Sequence, residues 1–421
     1  MSSLVRDAVL LAFEGPDPYS MVGGLGTRVT ELSAALATAG IRTTLVFVGD
    51  PARPAVERAA TNLQYRRWCR SLSARYPGGV YDGEIAKSIE YAASVPAFVA
   101  ETIVEPAAKR GESVLVLAED WQMAPCAILL DQILRDRSLR EGVILAWNAN
   151  NTYGFDRIGW PALVRATQIT TVSRYMQFEL RVREVESLVI PNGVPERLLD
   201  GVPEALVRSA AGCLRDGHPL FVKVGRFDED KGWMQAIDAF AEVRVSHPGA
   251  RLAVRGGREA YGDAVFGRAC ERGLSVDHLT LESLDARAVL AGVAGSAAAI
   301  VNIRSYVPEE ALLTLYRVAD AVLANSNREP FGLVGLEAMS AGGLVVTGAT
   351  GEDYAVPFEN ALVCETAAPS ELAELLESAL ADRALAQALR AAGLATAKGY
   401  VWARVLQTLA RKLRLAFPDT L

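Results

Sequence analysis

Short apolar runs that alternate with helical patterns, stop, and then start again constrain this chain more than any other feature. AVLLAF (8–13), TTLVFV (43–48), SVLVLA (113–118), VILAWN (143–148) and QITTVS (168–173) read as strands. Helical segments separate them, such as TRVTELSAALATAG (27–40), which closes on Gly40, a usual helix stop. Apolar strands alternating with helices predict a parallel sheet covered on both faces. Residues 190–218 break the pattern with Pro and Gly and show no strand in their middle. A second series follows: PLFVKVGR (219–226), ARLAVRGG (250–257), LTLES (279–283), AAIVNI (298–303), AVLAN (321–325) and GLVVTGA (343–349). The expected fold is α/β, with two Rossmann-like doubly wound domains at 1–197 and 219–395 and a linker at 198–218. Two such domains in tandem leave a cleft at the carboxyl ends of their strands, where open sheets bind ligands. An amphipathic pattern over 400–417 predicts a long terminal helix.

With 421 residues the chain is too long for one ordinary core. Its net charge of −7 argues against nucleic acid or an anionic membrane as a partner. An anionic ligand must then be met by a few local cations, and two of the six lysines, Lys223 and Lys231, share one short segment. Five scattered cysteines without a C-x-x-C pair point to reduced thiols and a cytoplasmic setting. The opening MSSLVRDAVLLAFEG reads as a first strand, not a signal peptide, and no apolar run approaches the ~20 residues that span a bilayer. A homodimer is left open.

Three segments carry chemistry. In NREPFGLVGLEAMSAGG (327–343), Glu329 and Glu337 stand eight positions apart in an apolar, glycine-rich frame. Pro330 holds Glu329 extended, and a helix is expected to begin near Gly332. Amides of Gly332, Leu333 and Val334 at its start would form a phosphate seat, with a carboxylate on either side to accept from hydroxyls. Such spacing fits a diphosphate flanked by a ribose and a second sugar. In KVGRFDEDKGW (223–233), Arg226 and Lys231 lie at a strand end and a helix start, where a fork and a point charge can meet one anion. Asp228 and Asp230 formally make a D-x-D metal pair, but cations on both sides are expected to take them. In SMVGGLGTRVTEL (20–32), a long loop separates the glycines from the strand, unlike a dinucleotide fingerprint. Amides of Gly24, Leu25 and Gly26 would instead approach a phosphate from the first domain.

Together, G-G-L-G, V-G-R-x(4)-K-G and E-P-F-G-L-x-x-x-E resemble the retaining GT-B glycosyltransferases of family 4 and the glycogen-synthase group. TVSRYM (171–176), VIPNGV (189–194) and YVWARV (400–405) extend the resemblance over nearly the whole chain. It implies that Arg226 and Lys231 bind the donor diphosphate and stabilise the leaving group. Glu337 would hold the nucleotide ribose. Glu329 would hold the donor sugar, helped by the amides of Phe331 and Gly332. The stretch Asn302 to Tyr306, with Arg304 and Tyr306, would lie near the base. It also implies no metal or other cofactor, and a terminal segment 400–421 that packs back on the first domain.

The pattern breaks at one place. Many relatives carry a histidine in a form like H-x-H-D-W, where this chain reads L-A-E-D-W, with Glu119 and Asp120. The histidines, His218, His247 and His278, all lie outside the first domain. Glycogen-forming relatives show K-x-G-G-L, and Met21 occupies the lysine place, which argues against an ADP-glucose glycogen synthase. Glu119 or Asp120 could orient the acceptor, the leaving phosphate could take its proton, or the acceptor could be a thiol or thione. Asn150, Asn151 and Tyr153, in the loop NANNTYGFDRIGW (148–160), are the expected acceptor contacts. The expected function is transfer of a sugar from a nucleotide-diphosphate donor to a small polar acceptor, with retention. The rivals are a natural-product S-glycosyltransferase of the lincosamide-antibiotic kind and a non-catalytic nucleotide-sugar binder.

Overall fold

A computed structural model describes residues 3–283 and 285–417. The chain divides into two compact units, one from residues 1–195 and 400–421, the other from 196–399.

The first unit is built on strands β1 (Ser3–Leu11), β2 (Arg42–Val48), β3 (Val56–Ala60), β4 (Leu63–Trp68), β5 (Ser113–Glu119), β6 (Val143–Ala149), β7 (Gln168–Thr171) and β8 (Leu188–Val189). Their order is β3-β4-β2-β1-β5-β6-β7-β8. All pairs are parallel except the β3–β4 hairpin. The central strands are buried on both faces, as their unbroken apolar runs require. The hairpin was not legible as strand, because β3 (VERAA) is almost wholly exposed and β4 (LQYRRW) is largely polar.

The second unit holds β9 (Leu220–Val224), β10 (Arg251–Arg255), β11 (Val276–Leu279), β12 (Ile300–Ile303), β13 (Ala321–Ala324), β14 (Val345–Thr347) and β15 (Leu362–Val363). The order is β11-β12-β10-β9-β13-β14-β15, all parallel. Phe221, Trp233, Phe240, Leu252 and Ile300 sit in its core. The edge strand expected at 279–283 lies earlier, at Val276–Leu279, where it pairs with β12 in register His278↔Asn302. The supposed linker 198–218 is also corrected. It contains the helix Glu204–Arg215, which buries Ala210 and Leu214 and packs on the helices Ala286–Gly295 and Glu309–Val318. Its Arg215 pairs with Asp320 at 2.5 Å. The Pro and Gly residues that suggested a linker flank this helix: Pro203 is its N-cap and Gly217 follows it.

The terminal helix spans Trp402–Leu413, shorter than expected. Arg414 turns left-handed (φ 56°), and β16 (Leu415–Ala416) pairs with the start of β1. Trp402, Val405, Leu406 and Leu409 pack with Val29, Leu32 and Leu36 of the helix Gly24–Thr38. Each aliphatic side chain buried this way contributes about 1.5–3 kcal/mol. Residues 418–421, assigned with that helix from the sequence, lie outside the described residues.

In both sheets the order reverses beside the first strand, between β1 and β5 and between β9 and β13. Loops leaving the carboxyl ends of such neighbours part to opposite sides and open a crevice for ligands. All three motif segments singled out above begin at these points.

Candidate active site

In the second unit, the loop after β9 and the loop after β13 are stitched together. Asp228 caps the turn Glu229–Lys231, accepting from the Asp230 N–H at 3.0 Å. The Asn327 N–H donates to the Asp230 carbonyl at 2.8 Å, and Asn325 Nδ2 to the Gly232 carbonyl at 3.2 Å. Gly232 has φ 62°, and a Cβ there would fall 2.1 Å from the Asn325 carbonyl oxygen, so the close approach requires glycine. This stitching brings Lys231 Nζ to 2.5 Å from Glu329 Oε2, an oxygen that also accepts from Ser326 Oγ at 2.9 Å. Trp233 is buried and donates from Nε1 to the Arg226 carbonyl, pinning the backbone of that residue. The Arg226 side chain is 46% exposed, with Asp228 3.8 Å away. Beneath them Lys223 is buried and bonded to Asn325 Oδ1 at 2.7 Å. Burial first, and then the charge of Lys231, pulls its ammonium down to about 7.

The helix begins at Leu333, one residue later than expected, with Gly332 as its left-handed cap (φ 82°). Its ladder opens with the Leu336 N–H to the Gly332 carbonyl, so the amides of Gly332, Leu333 and Val334 precede the first intrahelical bond. Phe331 is buried beside Tyr354, at a ring separation of 5.7 Å. Glu337 lies one turn into the helix, partly buried. Burial, and then the charge of Glu337, raises the hydroxyl pKa of Tyr316. Arg304 and Tyr306 are exposed at the end of β12, two strands from β9. Asn302 is buried, and its amide faces His278 Nδ1 at 3.0 Å. Among the described residues, no group of three or more His, Cys, Asp or Glu side chains is placed to hold a metal ion.

One acid of this site escaped the sequence reading. Glu352, after β14, is 5% exposed. Its Oε2 accepts from the Thr350 N–H at 3.2 Å, while Oε1 has no hydrogen-bond partner. Thr350 Oγ1 accepts from the Glu329 N–H at 2.9 Å. Burial and then the charge of Glu329 push the Glu352 carboxyl up to about 8. The available signal was a carboxylate in the loop just past an apolar strand, the same placement as Glu329 after β13.

In the first unit, Glu119 proves to be a buried structural acid. It pairs with Arg28 at 3.0 Å and accepts from Asn148 Nδ2 at 3.0 Å and Asn150 Nδ2 at 2.7 Å. Fully buried and saturated with donors, it does not stand open to orient an acceptor, and that expectation is withdrawn. Asp120 is also buried, at φ 66° and ψ 176°, a backbone region almost confined to glycine. Its oxygens accept from the Asn150 N–H and from Asn151 Nδ2, each at 2.8 Å. Burial outweighs these bonds, and the nearby charges of Glu119 and Glu14 add to it, raising the carboxyl to about 7. The side-chain amides of Asn150 and Asn151 thus turn inward to the two acids, correcting the expectation that both face an acceptor. Tyr153, on the same loop, is 60% exposed.

The glycine loop also differs from expectation. Glu14 Oε2 accepts from the N–H groups of Val22 (3.2 Å), Gly23 (3.2 Å) and Gly26 (3.0 Å). Tyr81 donates its hydroxyl to Oε1 at 2.5 Å. An internal carboxylate therefore uses the Gly26 amide assigned to a phosphate. Gly24 and Leu25, at the start of the helix, remain partly or fully exposed.

Residues 210–395 match the family model described as "Glycosyl transferases group 1". A glycogen synthase from Mycobacterium tuberculosis is 27% identical over 291 residues, 65% of this chain and 61% of that protein. A D-inositol 3-phosphate glycosyltransferase from Segniliparus rotundus is 30% identical over 230 residues, 54% of this chain and 46% of that one. The chain thus spans about three fifths or less of the length of these curated relatives. The sucrose-phosphate synthase structure from Thermosynechococcus elongatus superposes with a TM-score of 0.68 at 22% identity, covering 97% of this chain and 99% of that one. The fold is therefore that of the GT-B glycosyltransferases, and the residues that match the group 1 model lie in its second unit.

Proposed function

We propose that this chain transfers a glycosyl unit from a nucleotide-diphosphate sugar to a small polar acceptor, with retention of configuration, as family 4 enzymes do. The carrying observation is the Lys231–Glu329 pair at the β9/β13 switch point, beside a helix start with no side-chain cap hydrogen bond. An ammonium has three donors. Glu329 and the diphosphate can therefore share Lys231, which puts the transferred sugar and its leaving group on one anchor. Arg226, exposed and loosely paired, adds a fork for the second phosphate. The amides of Gly332, Leu333 and Val334 complete the seat, with Glu337 for the ribose and Arg304 and Tyr306 for the base.

Chemistry follows from this placement. The bond from the anomeric carbon to the phosphate oxygen breaks, and charge grows on the diphosphate, where the two cations and the helix amides would stabilise it. The acceptor oxygen bonds to the anomeric carbon on the face just vacated, and its proton passes to the leaving phosphate oxygen. No metal is needed in this scheme. Asp120 shapes the acceptor loop through Asn150 and Asn151, leaving Tyr153 as the exposed acceptor contact. The five unpaired cysteines agree with a reducing, cytoplasmic setting.

A thermal-shift screen against UDP, GDP and ADP tests the reading, since a ligand stabilises by mass action. One nucleotide should raise Tm, and its sugar conjugate should turn over with a hydroxyl acceptor. Transfer to thiols alone would favour the sulfur reading. Binding without transfer or donor hydrolysis would leave only a nucleotide-sugar binder.

A further inference from the structure

We propose that Glu352 is a positioning residue of the donor site, a buried carboxyl wedged under Gly332 that holds the Glu329 loop against Lys231. The proposal rests on the reading of that site as one for a sugar nucleotide.

The loop 348–354 clamps the loop 326–332 through glycines. A Cβ on Gly332 would lie 2.7 Å from Glu352 Cγ, one on Gly348 2.1 Å from the Ser326 carbonyl oxygen, and one on Gly351 2.1 Å from the Glu329 carbonyl oxygen. Hydrogen bonds follow the same path. The Glu329 N–H donates to Thr350 Oγ1, the Thr350 N–H donates to Glu352 Oε2, and the Tyr354 hydroxyl donates to the Gly332 carbonyl at 2.5 Å. Glu352 therefore acts on Glu329 through Thr350 and on the helix start through direct contact with Gly332.

The surroundings favour the protonated acid. Glu352 is buried and no donor reaches Oε1, although the backbone amides of Glu352 and Thr350 favour the charged form. An ionised carboxylate only accepts hydrogen bonds, whereas the neutral acid also donates one. The charged groups facing Glu352 are Glu329, which disfavours its ionisation, and Lys231, which favours it, and burial outweighs both. While Glu352 stays neutral, Lys231 faces one carboxylate and keeps donors for phosphate. Ionisation would put a second negative charge beside the diphosphate seat.

The test compares the wild-type protein with Glu352→Gln, which stays neutral at every pH. Calorimetry would follow the affinity for the stabilising nucleoside diphosphate from about pH 6 to about pH 9.5. Wild-type affinity should fall more steeply above pH 7 than that of Glu352→Gln, in which only Lys223 still titrates there. The same profile in both proteins overturns the positioning role. Stability gives a reading that needs no nucleotide. The folded pKa, about 8, is raised above the ordinary 4.5. Its stabilisation is full below the lower value and lost as pH rises through the upper one. Wild-type Tm should therefore fall relative to Glu352→Gln across that window, and parallel Tm curves overturn the un-ionised acid. If neither protein binds any nucleotide while the Tm curves still diverge, the sugar-nucleotide reading has failed and takes the positioning role with it. Should Glu352→Gln not fold, infrared spectra of Asp120→Asn decide the matter. A neutral-carboxyl band persisting at pH 7 supports the proposal, and its absence overturns it.

Discussion

Lys231 and Glu329 come from loops that follow different strands, yet their charged atoms meet at 2.5 Å with both side chains largely shielded (24% and 16% exposed). The pair joins the cation proposed for the diphosphate to the acid proposed for the sugar. Replacing Lys231 by Ala should lower kcat/KM by roughly 10²–10³-fold, about 2.7–4 kcal/mol, the usual cost of losing one preorganised transition-state donor. Arg226→Ala should fall in the same range. Steady-state kinetics on both variants checks this, and near-normal turnover in both contradicts the assignment.

Glu329→Gln should separate sugar from phosphate. It removes the carboxylate that occupies Lys231 but leaves the side chain's size unchanged. Affinity for the bare nucleoside diphosphate should hold or rise, while kcat with the sugar donor falls by about 10²-fold. Calorimetry beside kinetics reads the two effects, and weaker diphosphate binding with unaltered kcat would reverse the roles.

Arg28→Ala should destabilise the first unit. Arg28 and Glu119 are 4% and 0% exposed in their side chains, and Arg28 also donates to Asn192. Removing one member strands a buried charge, a loss of about 3–5 kcal/mol. Denaturant unfolding should show a lower midpoint, and a change within experimental scatter would mean that Glu119 is not held as described.

Asp120→Asn should flatten the pH dependence of stability. The folded pKa of Asp120 is raised from 3.8 to about 7. Its stabilising contribution is therefore complete below the lower value and disappears as pH rises through the upper one. Wild-type Tm should drop across that interval more than the variant's Tm does. Equal slopes would show that Asp120 is ionised throughout.

Much of this architecture could be read from the sequence because continuous apolar strands announce a covered parallel sheet, and the segments after β9 and β13 carry their chemistry in sequence order. What escaped depends on tertiary contact. The β3–β4 hairpin is an edge with a polar, exposed outer strand, so it lacks the buried signature. The helix Glu204–Arg215 buries only Ala210 and Leu214, too narrow an apolar stripe to outweigh the Pro and Gly around it. Glu14 looks like a loop acid until folding brings it to the amides of Val22, Gly23 and Gly26. Glu119 and Asp120 stand adjacent in the sequence, and only the position of Arg28 distinguishes the paired acid from the one that titrates near neutrality.

The most direct measurement is a crystal structure with the nucleoside diphosphate that stabilises the protein. The diphosphate should lie within hydrogen-bond reach of Lys231 Nζ, the Arg226 guanidinium and the Gly332–Val334 amides, with the ribose hydroxyls on Glu337. A nucleotide bound away from these groups would contradict the account.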